Sequence, residues 1–280
     1  MKSGVLDRLR RVDSRHNSLV KGLRAAFAKA SLTESGACAI EGVRIVEEAV
    51  RSGLRFDAVF VSQSAQDRAE RLLPQIGVQV DTVLLPDAVF ASAVPSESPQ
   101  GIAALVKVKH FSLENILQAS DAPMLMAVAG VQDPGNLGTI IRSAEAFLAT
   151  GVVIGEKTVS PFNSKAVRAS AGSLFRLPLL QATLADAVAE SRARGMRWVA
   201  TSSHKGTALD QANLSGPIAF LIGSEGAGIP RDLISKMDEV VVIPHAERVE
   251  SLNAGVAASI VLYEAARQRR STTGTREEDR

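Results

Sequence analysis

The second half of the chain alternates short apolar runs with longer amphipathic stretches. The apolar runs have the lengths of buried strands and cover Met124–Ala129, Val152–Ile154, Leu177–Leu180, Trp198–Thr201, Ile218–Ile222 and Val240–Ile243. The stretches between them space their apolar residues as helices do and cover Gly138–Ala149, Lys165–Leu174, Leu184–Arg194 and Leu252–Arg267. Such alternation requires crossover connections, so it predicts an α/β fold with a parallel sheet and helices on both faces.

The N-terminal part shows the same two periodicities in a smaller arrangement. Predicted helices are Asn17–Ala30, Gly42–Ser52 and Gln66–Leu73, and predicted strands are Ala37–Ile40, Ala58–Val61, Val78–Leu84 and Gly101–Val108. We therefore predict a small α/β domain over 1–108, a linker over 109–122, a second α/β domain over 123–268 and a disordered polar tail over 269–280. The last predicted helix has an apolar stripe of Leu252, Val256, Ile260 and Tyr263.

Composition narrows the classes of function. Of 280 residues, 46% are hydrophobic and 4% are aromatic, so the chain can form two cores but offers few aromatic faces for stacking single strands. The net charge is only +2, yet basic residues crowd the N-terminal part: Lys2, Arg8, Arg10, Arg11, Arg15, Lys21, Arg24 and Lys29. They indicate either contact with a polyanion such as nucleic acid or a solvated helix face. No apolar run has the length of a membrane span, so we expect no membrane contact.

The cysteine and the histidines indicate neither a disulfide nor a metal site. Cys38 is the single cysteine and lies in an apolar stretch, which predicts a small buried residue in a protein of the reducing cytoplasm. The histidines, at positions 16, 110, 204 and 245, are far apart, and none has the spacing of a zinc ligand. We expect no metal.

Three polar, glycine-rich segments follow predicted strands of the second domain. They are Gly130–Arg142, Ile222–Pro230 and Ile243–Asn253. Ligands of open parallel sheets bind at the strand ends and in the loops that follow, so the three segments predict one composite site.

Each segment has its own chemistry. In the first, Asn136 is expected to cap a helix that begins near Gly138, and Arg142 lies one turn into that helix. In the second, glycines around Glu225 let a ligand approach the backbone closely. In the third, Ser251 or Asn253 starts a helix, whose unpaired backbone groups can hold an adenine or a carboxylate. Taken alone, each segment is explained as well by a helix start, a glycine turn or a capping cluster.

A dinucleotide site is the alternative for the first segment. Gly135 and Gly138 follow a strand, and Glu156 lies about twenty residues further on, where a ribose-binding acid would be. The G-x-G-x-x-G fingerprint is absent, however, and Asp133-Pro134 occupies the turn, so a dehydrogenase is disfavoured.

Together these residues resemble the SpoU family, also called TrmH, of RNA ribose 2′-O-methyltransferases within the SPOUT class. The matching motifs are Asn136-x-Gly138-x-x-x-Arg142, then Gly223-Ser224-Glu225-Gly226, then Ile243-Pro244 with Ser251-Leu252-Asn253, and the run Asn163–Ser173 matches a further family segment. In the N-terminal part, Ser14–Asn17, Glu41-Gly42 and Ser98–Gly101 resemble the family's RNA substrate-binding domain, which is similar to a small ribosomal-protein fold of the L30e-like type.

The resemblance implies a SPOUT fold with a deep trefoil knot in the C-terminal half, and a homodimer whose site is completed across the interface. It implies S-adenosylmethionine as the cofactor, held by the backbone at Gly223, Ile243 and Leu252. The further cofactor-binding residues that it implies are Thr201, Ser202, Ser224 and Pro244. The catalytic set that it implies is Arg142, Asn136, Glu225, Ser251 and Asn253.

Two roles for Arg142 remain open in this family pattern. The family assigns it the removal of the 2′-hydroxyl proton, but a free guanidinium has a pKa above about 12 and is a poor base. The other role is a phosphate clamp that positions the ribose.

The RNA itself is indicated by analogy with the family. A separate N-terminal domain favours ribosomal RNA of the 23S type over transfer RNA. A transfer-RNA methyltransferase and a non-catalytic RNA-binding relative are the alternatives. Three positions depart from the usual family residues, Leu148 and Glu247 (usually Gly) and His245 (usually Met), and they affect substrate fit and loop geometry more than methyl transfer.

Overall fold

The chain divides into two compact units in the computed structural model, which describes residues 6–274 and the side chains of residues 6–270. The first unit takes the chain up to Lys109 together with Ser160–Phe175. The second unit takes His110–Val159 and the chain from Arg176 onward.

The first unit contains a mixed five-stranded sheet flanked by helices. Its elements up to Lys109 are β1 (Arg10–Arg11), α1 (Ser18–Lys29), β2 (Ala37–Glu41), α2 (Val43–Arg51), β3 (Arg55–Ser62), α3 (Gln66–Leu72), β4 (Asp81–Leu85), α4 (Asp87–Ala91) and β5 (Ile102–Lys107). The strand order is β1-β4-β3-β5-β2, in which β5 runs antiparallel to both of its neighbours. The predicted small α/β domain therefore has the predicted strands, with β1 and α4 added.

Cys38 lies on β2 and is fully buried, as its apolar surroundings predicted. Burial raises the pKa of the Cys38 thiol to about 12, because the thiolate would lose its hydration. Cys38 is therefore a packing residue of the first unit and not a nucleophile.

The segment Ser160–Phe175 belongs to the first unit although it interrupts the second unit in sequence. It contains α7 (Ser164–Ala169), whose cap Asn163 accepts a hydrogen bond of 2.9 Å from the Lys165 backbone N–H. At Gly172 the backbone has φ +89° and lies so close to Glu48 that an added Cβ would meet the Glu48 Cβ at 2.9 Å. The hydrophobic pattern did not predict that this segment belongs to the first unit, because the apolar residues of a short amphipathic helix have the same spacing whichever unit the helix packs on.

The second unit contains the seven-stranded sheet. Its elements are α5 (Leu113–Leu117), β6 (Met124–Ala129), α6 (Pro134–Ala146), β7 (Gly151–Ile154), β8 (Leu179–Gln181), α8 (Leu184–Arg192), β9 (Arg197–Ser202), β10 (Thr207–Ala208), β11 (Ile218–Gly223), α9 (Arg231–Ile234), β12 (Glu239–Val242) and α10 (Ala254–Gly274). The strand order is β10-β12-β9-β11-β6-β7-β8, and every pair is parallel. The predicted parallel sheet is confirmed, whereas the implied knot stays a prediction.

Helices cover both faces of this sheet. On one face α5, α8 and α9 pack on alternate strand residues around Trp198, the largest fully buried side chain, whose indole N–H donates to Ser191 at 2.8 Å. On the other face α6 and α10 pack on each other and on β7 and β11. Because consecutive strand residues point to opposite faces, continuous apolar runs were the right signal for strands covered on both sides.

The last helix departs from its predicted course in two ways. It continues to Gly274, so residues 269–274 are helical and only 275–280 of the predicted tail lie outside the described residues. The Arg269 guanidinium donates to the carbonyls of Ala122 (2.8 Å) and Gly216, which holds this part of the helix in place. The apolar stripe also faces outward in part, because Val256 is 47% exposed and Tyr263 is 48% exposed.

Candidate active site

The predicted site lies at the carboxyl ends of neighbouring strands in the seven-stranded sheet. Strands β12, β9, β11 and β6 are consecutive neighbours and parallel, so their carboxyl ends lie side by side. The loops that follow β9, β11 and β12 surround a pocket of about 330 Å³, whose lining includes Thr201, Ser202, Ser203, Gly223, Ser224, Glu225, His245, Ile243, Ser251, Leu252, Ala254 and Ala257.

The loop after β11 folds back on itself beside this pocket. The Gly228 backbone N–H donates to the Ser224 carbonyl at 2.9 Å, and the Ala227 N–H donates to the Ser224 hydroxyl at 3.2 Å. A Cβ at Gly223 would lie 2.3 Å from the Gly228 backbone carbon, so only glycine fits at this strand end. The glycines of the second motif therefore bring two backbone segments into direct contact.

The loop after β12 is tied together by His245. One ring nitrogen lies 2.7 Å from the Ile243 carbonyl, and the other lies 3.0 Å from the Val249 carbonyl. The loop ends at Asn253, whose side-chain oxygen accepts from the Val256 N–H at 3.2 Å and so caps α10. Of the two predicted helix starts, Asn253 and not Ser251 has this role.

The helix after β6 begins earlier than predicted. Asp133 is its cap, because the Asp133 carboxylate accepts from the Asn136 backbone N–H at 2.8 Å, and Pro134 occupies the first helical position. The expectation that Asn136 caps this helix was wrong. An Asp-Pro pair at a helix start was the sequence signal for this earlier boundary.

Glu225 joins the three motifs. Its Oε1 accepts from the side-chain amide of Asn136 at 2.6 Å, from that of Asn253 at 2.8 Å and from the Ala254 backbone N–H at 3.2 Å. The Asn253 amide also donates to the Asn136 side-chain oxygen at 2.9 Å. We call these three side chains the Asn–Glu–Asn cluster.

The other predicted site residues are placed as follows. Thr201, Ser202, Gly223, Ser224, Ile243, Ser251 and Leu252 line the pocket, together with Glu225. Pro244 is exposed next to Ile243, and Arg142 is exposed on α6, six positions beyond Asn136, which is about 9 Å along a helix axis. Neither is among the residues that line the pocket in the described part of the chain. Sequence reasoning missed Ser203, Ala254 and Ala257 as lining residues, because nothing in their type marks them.

Residues 6–274 contain neither a metal-binding cluster nor a membrane-spanning helix. These residues do not bring three His, Cys, Asp or Glu side chains together as a metal ion would require. Among the same residues, no helix has both the length and the apolarity to cross a membrane.

Comparison with protein families agrees with this geometry. The model of the SpoU rRNA Methylase family matches residues 123–263, and an MRM3-like substrate binding domain matches residues 17–104. The chain belongs to the SpoU rRNA methylase family. The resemblance predicted from the motifs is therefore confirmed over both halves of the chain.

Relatives of this SpoU-family protein match it over most of its length. The 23S rRNA (guanosine(2553)-2′-O)-methyltransferase RlmP of Bacillus subtilis is 31% identical over 255 residues, which are 91% of this chain and 98% of that protein. An uncharacterized tRNA/rRNA methyltransferase of Mycobacterium leprae is 36% identical over 233 residues, which are 80% of this chain and 75% of that protein.

Solved structures of the family superpose closely. The AdoMet-bound rRNA methyltransferase from Sinorhizobium meliloti has a TM-score of 0.79 and 29% identity, covering 93% of this chain and 98% of that one. The SpoU methyltransferase AviRb from Streptomyces viridochromogenes, in complex with AdoMet, also has a TM-score of 0.79, with 28% identity, covering 90% of this chain and 98% of that one. The SPOUT type of α/β fold is thereby confirmed.

Proposed function

We propose that this protein transfers a methyl group from S-adenosylmethionine to a ribose 2′-hydroxyl of RNA, and that the RNA is ribosomal, of the 23S type. The observation that carries the proposal is the Asn–Glu–Asn cluster, which joins all three family motifs through one oxygen of Glu225, a residue that lines the pocket. A set of unrelated helix caps and glycine turns would not need to meet at one atom.

The pocket fits the proposed cofactor in size and in chemistry. Its volume of about 330 Å³ lies within the range of about 300–1,000 Å³ that is usual for small-molecule sites. The backbone at Gly223, Ile243 and Leu252 offers peptide groups for an adenine, and Thr201, Ser202 and Ser224 offer hydroxyls beside them. Bound there, S-adenosylmethionine would supply a methyl group already activated on a sulfonium.

The chain's own residues would align the ribose and handle one proton. Alignment of two reacting groups can supply roughly 7–11 kcal/mol of a barrier. Asn136 is held by Glu225 and Asn253 in one orientation, so it can direct the ribose without a further loss of side-chain freedom. We assign Arg142 to the phosphate of the target nucleotide, because its exposed guanidinium presents a planar fork of donors that matches a phosphate.

The choice of ribosomal RNA is supported by the relatives. RlmP, which by name methylates 23S rRNA, aligns over 98% of its own length, including its N-terminal part. The match to a substrate binding domain in residues 17–104 supports a second unit that contacts the RNA. A transfer-RNA methyltransferase and a non-catalytic RNA-binding relative are the alternatives.

One experiment separates these possibilities. The purified protein is incubated with tritiated S-adenosylmethionine and either unmodified 23S rRNA or unmodified tRNA transcripts, and 2′-O-methyl positions are then mapped. We expect label at a ribose of 23S rRNA. Label in tRNA alone would show that the substrate is tRNA and not 23S rRNA. RNA binding without cofactor binding would favour the non-catalytic relative.

We also propose a homodimer in the cytoplasm, the compartment resting on the single buried thiol of Cys38. An exposed apolar patch supports the dimer: Leu148 is 77% exposed at φ +63°, and beside it the rings of Phe147 and Tyr263 meet edge to face at 5.7 Å.

Light scattering should give twice the chain mass, and the Val256→Asp/Tyr263→Asp variant should give the monomer mass. Val78→Asp is the control, because Val78 is 84% exposed in the first unit. A monomeric wild type would refute the dimer.

A further inference from the structure

A second pocket lies in the first unit, and methyl transfer as proposed does not use it. Its volume is about 430 Å³, again within the range of about 300–1,000 Å³ for small-molecule sites. Three segments that are remote in sequence meet there: the start of α2, the loop before β5 and the segment that contains α7. Each of them carries residues that also resemble the family pattern, namely Glu41-Gly42, Ser98–Gly101 and Asn163–Ser173.

Glu41 holds these segments together. Its side chain is only 3% exposed, and its Oε2 accepts from the Ser96 hydroxyl and lies 3.9 Å from the Arg168 guanidinium. Its Oε1 accepts from the Gln100 backbone N–H at 3.3 Å. A buried carboxylate needs such partners to offset its lost hydration, so Glu41 is committed to the protein and is not an acceptor for a ligand.

The groups that remain for a ligand are donors. Arg44 is exposed, and the Arg168 side chain is 44% exposed. The Gln100 side-chain oxygen accepts from the Val43 N–H at 3.1 Å, which leaves the amide nitrogen of Gln100 as a donor. The other carboxylate at the pocket, Glu48, pairs with Arg51 at 2.6 Å. Arg168 stays 44% exposed although it lies 3.9 Å from Glu41, so it and Arg44 both present guanidinium donors, and the pocket is matched to an anionic ligand rich in acceptors.

We propose that this pocket binds one backbone phosphate of the RNA substrate, with Arg44 and Arg168 as its cationic donors and Gln100 as a neutral one. The proposal deepens the proposed function and rests on RNA being the substrate. Contacts to phosphate fix the register of an RNA without reading its sequence. Glu41 is then a positioning residue, because it sets the place of Arg168 and of the loop that carries Gln100.

The test compares Arg44→Gln/Arg168→Gln with the wild type. Filter binding to an unmodified 23S rRNA transcript is measured across a series of KCl concentrations. One lost phosphate contact should reduce the slope of log affinity against log salt by about 1 and weaken binding roughly tenfold at 0.1 M salt. The Michaelis constant for RNA should rise by a similar factor, and calorimetry should show unchanged affinity for the cofactor. Circular dichroism melting checks that the variant stays folded, because Gln at position 168 removes one charged partner of the buried Glu41 carboxylate.

Two further variants sharpen the test. Arg71→Gln is the matched control, because Arg71 is exposed on α3 of the same unit and does not line the pocket among the described residues. It should keep the wild-type slope. Arg44→Lys/Arg168→Lys should also keep the slope, since lysine still neutralises a phosphate as a point charge.

The outcomes separate this proposal from the proposed function. A wild type that methylates 23S rRNA, with a double Gln variant that keeps both slope and Michaelis constant, overturns the phosphate site alone. A wild type that methylates no RNA overturns the proposed function, and the salt slopes still decide the phosphate site. A wild type that binds no RNA overturns both.

Discussion

The side-chain amide of Asn136 donates a hydrogen bond of 2.6 Å to Glu225, although the two residues lie 89 positions apart in the chain. Asn136 is available for this contact because Asp133 caps α6 in its place. The same Glu225 oxygen accepts from Asn253 at 2.8 Å, so a single carboxylate determines the orientation of both amides. A charged acceptor makes each of these bonds about twice as strong as a neutral pair.

Glu225→Gln should lower methyl transfer while the protein stays folded. Glutamine keeps the shape but loses the charge, so the bonds that Oε1 accepts from Asn136, Asn253 and Ala254 all weaken, and we expect roughly a tenfold loss of kcat/KM. Asn136→Ala and Asn253→Ala should show losses that do not add in the double variant, because both act through the same oxygen. Tritium transfer to RNA measures these effects.

Glu190→Gln is the control for Glu225, since Glu190 is exposed on α8 and makes a surface pair of 3.8 Å with Arg194. It should leave transfer unchanged. Additive losses in the Asn136→Ala/Asn253→Ala variant would show that the cluster does not act as one unit.

Gly223→Ala should weaken cofactor binding strongly, because the new Cβ would lie 2.3 Å from the Gly228 backbone and 2.5 Å from the Ile229 nitrogen. The loop must then move by about an ångström, and a displacement of that size can also lower the rate of methyl transfer roughly 100-fold. Gly226→Ala is the matched control in the same loop, since a Cβ added at Gly226 would have no atom within 4 Å among the described residues. Calorimetric titration with S-adenosylmethionine distinguishes the two. Equal affinities for the two variants would argue against a close backbone approach at Gly223.

Arg142→Ala should abolish methyl transfer and leave cofactor affinity nearly intact, because Arg142 is exposed on α6 and does not line the pocket among the described residues. Arg142→Lys should not restore transfer, since a point charge does not replace a planar fork. Arg194→Ala, which removes an exposed guanidinium that follows α8, is the control. Unchanged turnover in Arg142→Ala would remove Arg142 from the mechanism.

The sequence predicted elements well and long-range partners poorly. The strands of the parallel sheet were visible because a strand buried on both faces is apolar without interruption, and Met124–Ala129 has the predicted bounds. The hydrogen bond between Asn136 and Glu225 could not be predicted, because it requires β6 and β11 to be neighbours in the sheet. The local spacing of apolar residues does not determine the strand order. The motifs predicted the residues of the site only through their resemblance to the family.

The stripe on α10 shows a second limit. Val256, Ile260 and Tyr263 have the spacing of a core-facing helix, but the residues buried on this helix include the smaller Ala258 and Ala265. Small residues let α10 approach α6 closely: a Cβ on Gly255 would already lie 3.2 Å from Thr139. A hydrophobic pattern cannot distinguish a stripe that faces the core from one that stays partly exposed.

Asp238 connects β12 with the neighbouring strand β9. It directly precedes β12, and its carboxylate accepts from the Trp198 backbone N–H at 2.7 Å and from Arg192 at 2.6 Å. Partial burial raises the pKa of Asp238, but the hydrogen bonds from Trp198 and Arg192 outweigh it and hold that pKa below its usual 3.8. The folded state therefore binds this proton less tightly than the unfolded state does.

The contribution of Asp238 to stability should accordingly be present above pH 3.8 and be lost as the pH falls through the lower folded pKa. Asp238→Asn should lower the melting temperature at pH 7 by an amount worth about 1 kcal/mol or less, because the carboxylate is partly exposed and its ion pair is screened. The difference from the wild type should shrink toward pH 3 in scanning calorimetry, whereas Asp121→Asn, at an exposed position, should match the wild type throughout. A difference that stays constant down to pH 3 would mean that Asp238 stabilises β12 by shape and hydrogen bonding, without its charge.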